Sequence, residues 1–203
     1  MHESEFLNDE VMHLFEIVCT TCRLECIAPS EFVVDNSFSD DIEDEVMHGD
    51  GDVLGLYVPE AVPNDSVRLF REKCRQFAEL LKSEYPGDAS ISAAAVERIV
   101  LVHEFSHFVH HRGECPEHPS GGPWDEFKDW PEDECENFAQ RTTYLSLKVE
   151  NPAFATLMAK MSAYQPKRYR ISDLQSENEF GDHLCEIRRM DKEGSLGQEG
   201  FDG

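Results

Sequence analysis

The stretch Arg98-Ile99-Val100-Leu101-Val102-His103-Glu104-Phe105-Ser106-His107-Phe108-Val109-His110-His111-Arg112 decides how this chain is read. With Ile91 before it and Gly113 after it, the pattern predicts a helix over 91–112. At about 100° per residue, positions four apart lie nearly one above the other. His103 and His107 therefore turn both rings the same way, at a separation suited to one tetrahedral Zn²⁺. Glu104 sits one residue on, where it flanks an ion rather than ligating it. From there it can take a proton from a water that the ion has made acidic. The apolar run ahead of His103 marks the helix as buried, and buried His, Glu and His are costly unless they have partners.

Catalytic zinc usually takes three protein ligands, so a third must come from elsewhere. His110 and His111 extend the same helix, but three ligands along one straight helix cannot converge on a small ion. They read as groups around the site or as exposed residues. A third histidine six residues after His107 would complete another known spacing, but that position is Gly113. His118 lies in the Pro- and Gly-rich loop 113–131 without a scaffold. A helix over 131–148, with proline in its first turn, offers Glu136-Asn137-Phe138-Ala139-Gln140. Ala139 lets a second helix approach closely, and Gln140 can orient a ligand imidazole through its ring N–H. Glu136 is thus favoured as third ligand, with Glu132, on the same face, as its rival.

Around this centre the chain reads as an α+β domain, mainly helical, with a small sheet beside the His-Glu-His helix. Helices are expected at 5–27, 65–84 and 152–163 from apolar residues at helical spacing, and short strands at 32–34 and 53–58. Asp65 is a candidate cap for the second of these helices. Strand 53–58 could also pair with an extended peptide. A single domain is expected over 1–173, made of the N-terminal helix, an acidic loop at 35–52 and a catalytic core over 53–148. Residues 174–203 read as a polar, flexible tail.

Composition limits the function. The 203 residues carry 42 Asp plus Glu against 18 Lys plus Arg, a formal charge of −24. Such a balance argues against nucleic acid as a partner, since phosphate contacts need clustered cations. It argues equally against anionic membranes. No apolar run approaches the ~18 residues of a membrane span. The first residues are polar and acidic, so no export or transit signal is expected, and the location is read as cytoplasmic. The seven cysteines are accordingly expected as reduced thiols. Cys19, Cys22 and Cys26 read as core residues of the first helix rather than a metal cluster.

The sequence from His103 to His111 resembles the HExxH helix of the ImmA/IrrE-type zinc metallopeptidases. Glu136-Asn137-Phe138-Ala139-Gln140 is similar to their second helix, where Glu is followed by Ala and an amide residue. Leu54-Gly55-Leu56-Tyr57-Val58 resembles the strand before their active helix. Ser106 stands where the family often has Gly, which is one mark of a divergent member. The resemblance spans roughly residues 50–148. It implies a gluzincin-like fold, with one zinc ion held by His103, His107 and a downstream Glu, and with Glu104 as base. The expected function is then zinc-dependent hydrolysis of a peptide or protein substrate. Tyr144, His110 and His111 are candidates to stabilise the oxyanion. The alternative is a catalytically idle relative that binds a protein partner through the same scaffold. The oligomeric state is left open.

Overall fold

The computed structural model describes residues 9–26, 31–35, 53–59, 66–116 and 131–164. In chain order the elements are α1 (Asp9–Cys22), β1 (Glu31–Asp35), β2 (Gly55–Val58), β3 (Ser66–Phe70), α2 (Arg71–Glu84), α3 (Ala93–Arg112), α4 (Glu132–Glu150) and α5 (Pro152–Ser162). The architecture is α+β and mainly helical with a small sheet, as expected. The acidic segment 36–52, the loop 117–130 with His118, and the C-terminal tail lie outside the described residues.

α3 is the centre of the molecule. Ser92 caps it, its hydroxyl accepting from the Ala95 N–H at 3.1 Å. Val96, Ile99, Val100, Val102, Phe105, Phe108 and Val109 are all buried, so the helix is apolar on most of its circumference. A helix of that kind must be enclosed by other elements. α1, α2, α4 and the sheet all pack on it. Phe15 of α1 meets Phe105 and Phe108 edge to face, with centroids 5.5 and 5.9 Å apart.

One helix expected from the sequence is in fact a strand followed by a helix. Residues 66–70 form β3, and α2 begins only at Arg71. β3 is the middle strand, parallel to β1 and antiparallel to β2. Val67, Leu69 and Phe70 are buried there. Burial of a central strand outweighs the helical spacing of Val67, Phe70 and Cys74. The Asp65 cap falls outside the described residues, and Phe70 occupies the cap position without a side-chain hydrogen bond.

α1 also ends earlier than expected, at Cys22, where Arg23 turns the chain with a φ of 53°. Cys22 is buried in the core, and Cys19 and Cys26 pack against it. Burial pushes the Cys19 thiol up to about 12, which suits an inert packing role. Among the described residues Cys19, Cys22, Cys26, Cys74 and Cys135 stand outside disulfides, but Cys115 is disulfide-bonded, so the expectation of reduced thiols fails there. Beyond α1, Glu25 and Glu114 exchange backbone hydrogen bonds of 2.9 and 2.7 Å. This strap fixes the end of α3. Gly113 suits it through close approach, since a Cβ there would lie 2.8 Å from Leu24 Cδ1. No helix among the described residues is long and apolar enough to cross a membrane.

β2 crosses α3 at Gly55. A Cβ at that position would lie 2.6 Å from Val100 Cγ1 and 2.9 Å from both Cγ and Oε1 of Glu104. Only a residue without a side chain permits the approach. Gly55→Ala is expected to destabilise the protein by about 1–3 kcal/mol through overpacking. The check is a lowered midpoint in denaturant unfolding; an unchanged midpoint would show that β2 does not press on α3.

Candidate metal centre

His103 and His107 stand one above the other on α3, with ring centroids 4.8 Å apart. Glu136 reaches them from the first turns of α4. His103 Nε2 lies 3.2 Å from His107 Nε2 and 3.3 Å from Glu136 Oε2, and His107 Nε2 lies 3.4 Å from Glu136 Oε1. All three side chains are only 11–13 % exposed.

Small residues let α4 come this close. Ser106 is fully buried on α3 and lies opposite Thr143, their hydroxyls 3.4 Å apart. Each hydroxyl is satisfied on its own helix, Ser106 donating to Val102 O at 2.7 Å and Thr143 to Ala139 O at 2.6 Å. Ala139 itself is fully buried. The crossing is thus lined by a serine, an alanine and a threonine, and every polar atom named has a partner.

The donor set fits a divalent ion of the zinc class, which takes imidazole nitrogen and carboxylate oxygen. Tetrahedral bonds of about 2.0–2.1 Å place neighbouring donors about 3.4 Å apart. The two imidazole nitrogens match that spacing, each lies about that far from one of the two Glu136 oxygens, and one donor atom from each residue falls within 4.8 Å of the others. Glu136 Oε2 carries a further sign. It is buried and lacks a hydrogen bond, although His103 Nε2 is close. The two atoms form a close charge pair, but no N–H of ordinary hydrogen-bond geometry points at the oxygen.

Charge in the cluster is unevenly shared. Burial works to raise the Glu136 carboxyl, but His107 and His103 outweigh it and hold the carboxyl well below the usual range. Burial works to lower His107, yet Glu136 prevails and His107 is raised. Glu104 is 6 % exposed. Burial lifts its carboxyl above the ordinary range and Glu136 adds to the rise, while His103, His107 and the backbone N–H of Tyr57 offset part of it. The Tyr57 N–H donates to Glu104 from β2, which has only β3 as a strand neighbour among the described residues. The edge that an extended peptide would need is therefore present, with one of its donors already given to Glu104.

The other site expectations fall out differently. Glu132 is exposed and lies outside the ligand group, which is His103, His107 and Glu136. Gln140 is buried, but it does not bond a ligand imidazole, and its Oε1 lacks a hydrogen bond. Tyr144 packs against the core, two turns beyond Glu136 or about 12 Å along the helix. His110 and His111 are not surface residues, being 0 % and 4 % exposed. His111 Nδ1 lies 2.7 Å from the Tyr57 hydroxyl, and the His110 ring stacks on Phe138.

Sequence reasoning missed Gly55 and Tyr57 as the residues behind Glu104. A glycine inside a five-residue apolar run was the available signal, since it marks a close approach. Comparison with protein-family models, curated proteins and solved structures found no match to this chain.

Two measurements check this site. Glu136→Gln is expected to weaken Zn²⁺ binding by more than about 100-fold, the upper range for loss of a mere supporting group. Glu132→Gln should leave it unchanged; titration against a competing chelator separates the two. The second is pH dependence without metal. The raised His107 adds stability that is complete below 6.5 and fades as pH climbs through its folded value. The raised Glu104 does the same from 4.5 upward. The depressed Glu136 adds stability that is present above 4.5 and fades as pH falls. Metal-free protein should therefore lose melting temperature as pH rises past 6.5, and saturating Zn²⁺ should weaken that decline. A melting temperature that climbs over this range would contradict the charge pattern.

Proposed function

We propose that this protein is a zinc-dependent peptidase, a divergent relative of the ImmA/IrrE type. One observation carries the reading. Two imidazole nitrogens and a carboxylate converge with donor atoms all within 4.8 Å, and a buried carboxylate stands one residue from the first imidazole.

His103, His107 and Glu136 would hold the ion. When bound, zinc supplies Lewis acidity, which polarises a scissile carbonyl and makes water acidic near neutral pH. The remaining work belongs to the chain. Glu104 takes a proton from the attacking water at its carboxylate. It then passes the proton to the leaving amine nitrogen as the amide C–N bond breaks. The Tyr57 N–H holds this carboxylate in place, and Gly55 keeps the strand close enough to do so. Val100, one turn before Glu104 and buried, packs against the same strand at Gly55.

The experiment is Glu104→Gln in the zinc-loaded full chain, with unfolded casein as probe. Cleavage is expected to fall about 10²- to 10⁴-fold while zinc content stays at the wild-type level. A variant that cleaves as well as wild type would end the assignment of the base. A wild-type protein that binds zinc and cleaves nothing would favour the idle-scaffold reading.

A further inference from the structure

The small residues at the α3–α4 crossing allow close approach, but they set only a lower limit on spacing. Serine, alanine and threonine offer no bulky ridge that sets the register beside the triad, and the Arg98–Glu150 pair ties the helices only at their far end. The triad tolerates little sliding, because its donors must meet within the radius of one ion. Something next to the site must fix the register.

His110 is placed to do this. It lies three residues past His107, about 4.5 Å along α3, and Phe138 lies two residues past Glu136, about 3 Å along α4. Their rings stack with centroids 4.0 Å apart and planes inclined by 22°. His110 is 0 % and Phe138 6 % exposed, so neither ring can swing aside without opening the core. One ligand and one ring come from each helix, with the ring contact a single turn from the ligand contact. Two flat faces in contact fix the separation of the helices along their common normal, and burial of both rings among packed neighbours keeps one from slipping past the other.

We propose that His110 is a positioning residue, whose stack on Phe138 sets the place of Glu136 relative to His103 and His107. The proposal rests on reading those three residues as a metal site. It assigns His110 no contact with ion or substrate.

The test uses metal binding rather than turnover. Zn²⁺ affinity is measured by chelator competition and coordination by the visible spectrum of the Co²⁺-loaded protein. Thermal unfolding of each metal-free variant serves as control. His110→Ala is expected to bind Zn²⁺ about 10- to 100-fold more weakly and to lose intensity in the tetrahedral Co²⁺ bands. His110→Phe keeps a flat ring and should restore both. Should His110→Ala fail to fold, Phe138→Leu carries the same test, since it keeps bulk and loses planarity. Wild-type affinity and spectrum in a folded His110→Ala or Phe138→Leu overturns the proposal, as does a His110→Phe no better than His110→Ala. If those variants bind normally while Glu136→Gln loses Zn²⁺, only the positioning role fails. If wild type binds no Zn²⁺, the metal-site reading fails and takes the proposal with it.

Discussion

A helix enclosed on nearly every side cannot carry two imidazoles and a carboxylate unless something compensates their polarity. That constraint organises the molecule. α3 must lie in the centre, because Val96, Ile99, Val102, Phe105 and Val109 are all buried and leave it little wet face. His103 and His107 then need a counter-group, and it arrives as Glu136 on the next helix. Glu104 needs a donor, and it arrives as the backbone of Tyr57. Neither partner is local. Glu136 lies 29 residues after His107 and Tyr57 lies 47 residues before Glu104. The polar demand of one helical turn thus dictates which two elements must press against it, and both contacts require small residues.

Much of this was legible in the sequence. The two histidines and the acid between them sit on a helix whose periodicity is plain. Glu136 was readable because Ala139 follows it by one turn, and close approach is the reason Ala139 is there. Gln140 pointed to the correct helix for a different reason from the one the structure gives, since it holds no ligand ring. The strand β3 was not legible. Val67, Phe70, Cys74, Phe77 and Leu81 satisfy helical spacing throughout, and only the pairing of residues 66–70 with β1 and β2 separates strand from helix. Tertiary pairing of that kind has no local signature. The roles of His110 and His111 were hidden for a related reason. Polar residues near a helix end suggest exposure, whereas here a strand and a second helix cover that end.

Tyr57 shows how few atoms join the sheet to the chemistry. Its N–H meets Glu104, its hydroxyl meets His111, and its ring meets Phe108 edge to face at 5.6 Å. Three contacts from one residue span the last two turns of α3. The strand therefore acts as a rail along the helix, and the Glu104 carboxylate is held by main chain rather than by a mobile side chain.

At the opposite end of the helix pair, Arg98 of α3 bonds Glu150 at the end of α4, with Nε to Oε1 at 2.8 Å, and also reaches Glu10 of α1. Asn151 then ends α4 and caps α5, and Lys160 of α5 bonds Asp88 just ahead of α3. The two ligand-bearing helices thus form a pair of tongs, with its pivot at Arg98 and α5 and its jaws at the triad. The frame that brings the three donors together is thus fastened by contacts that are not those of the donors themselves, far from the place where they meet.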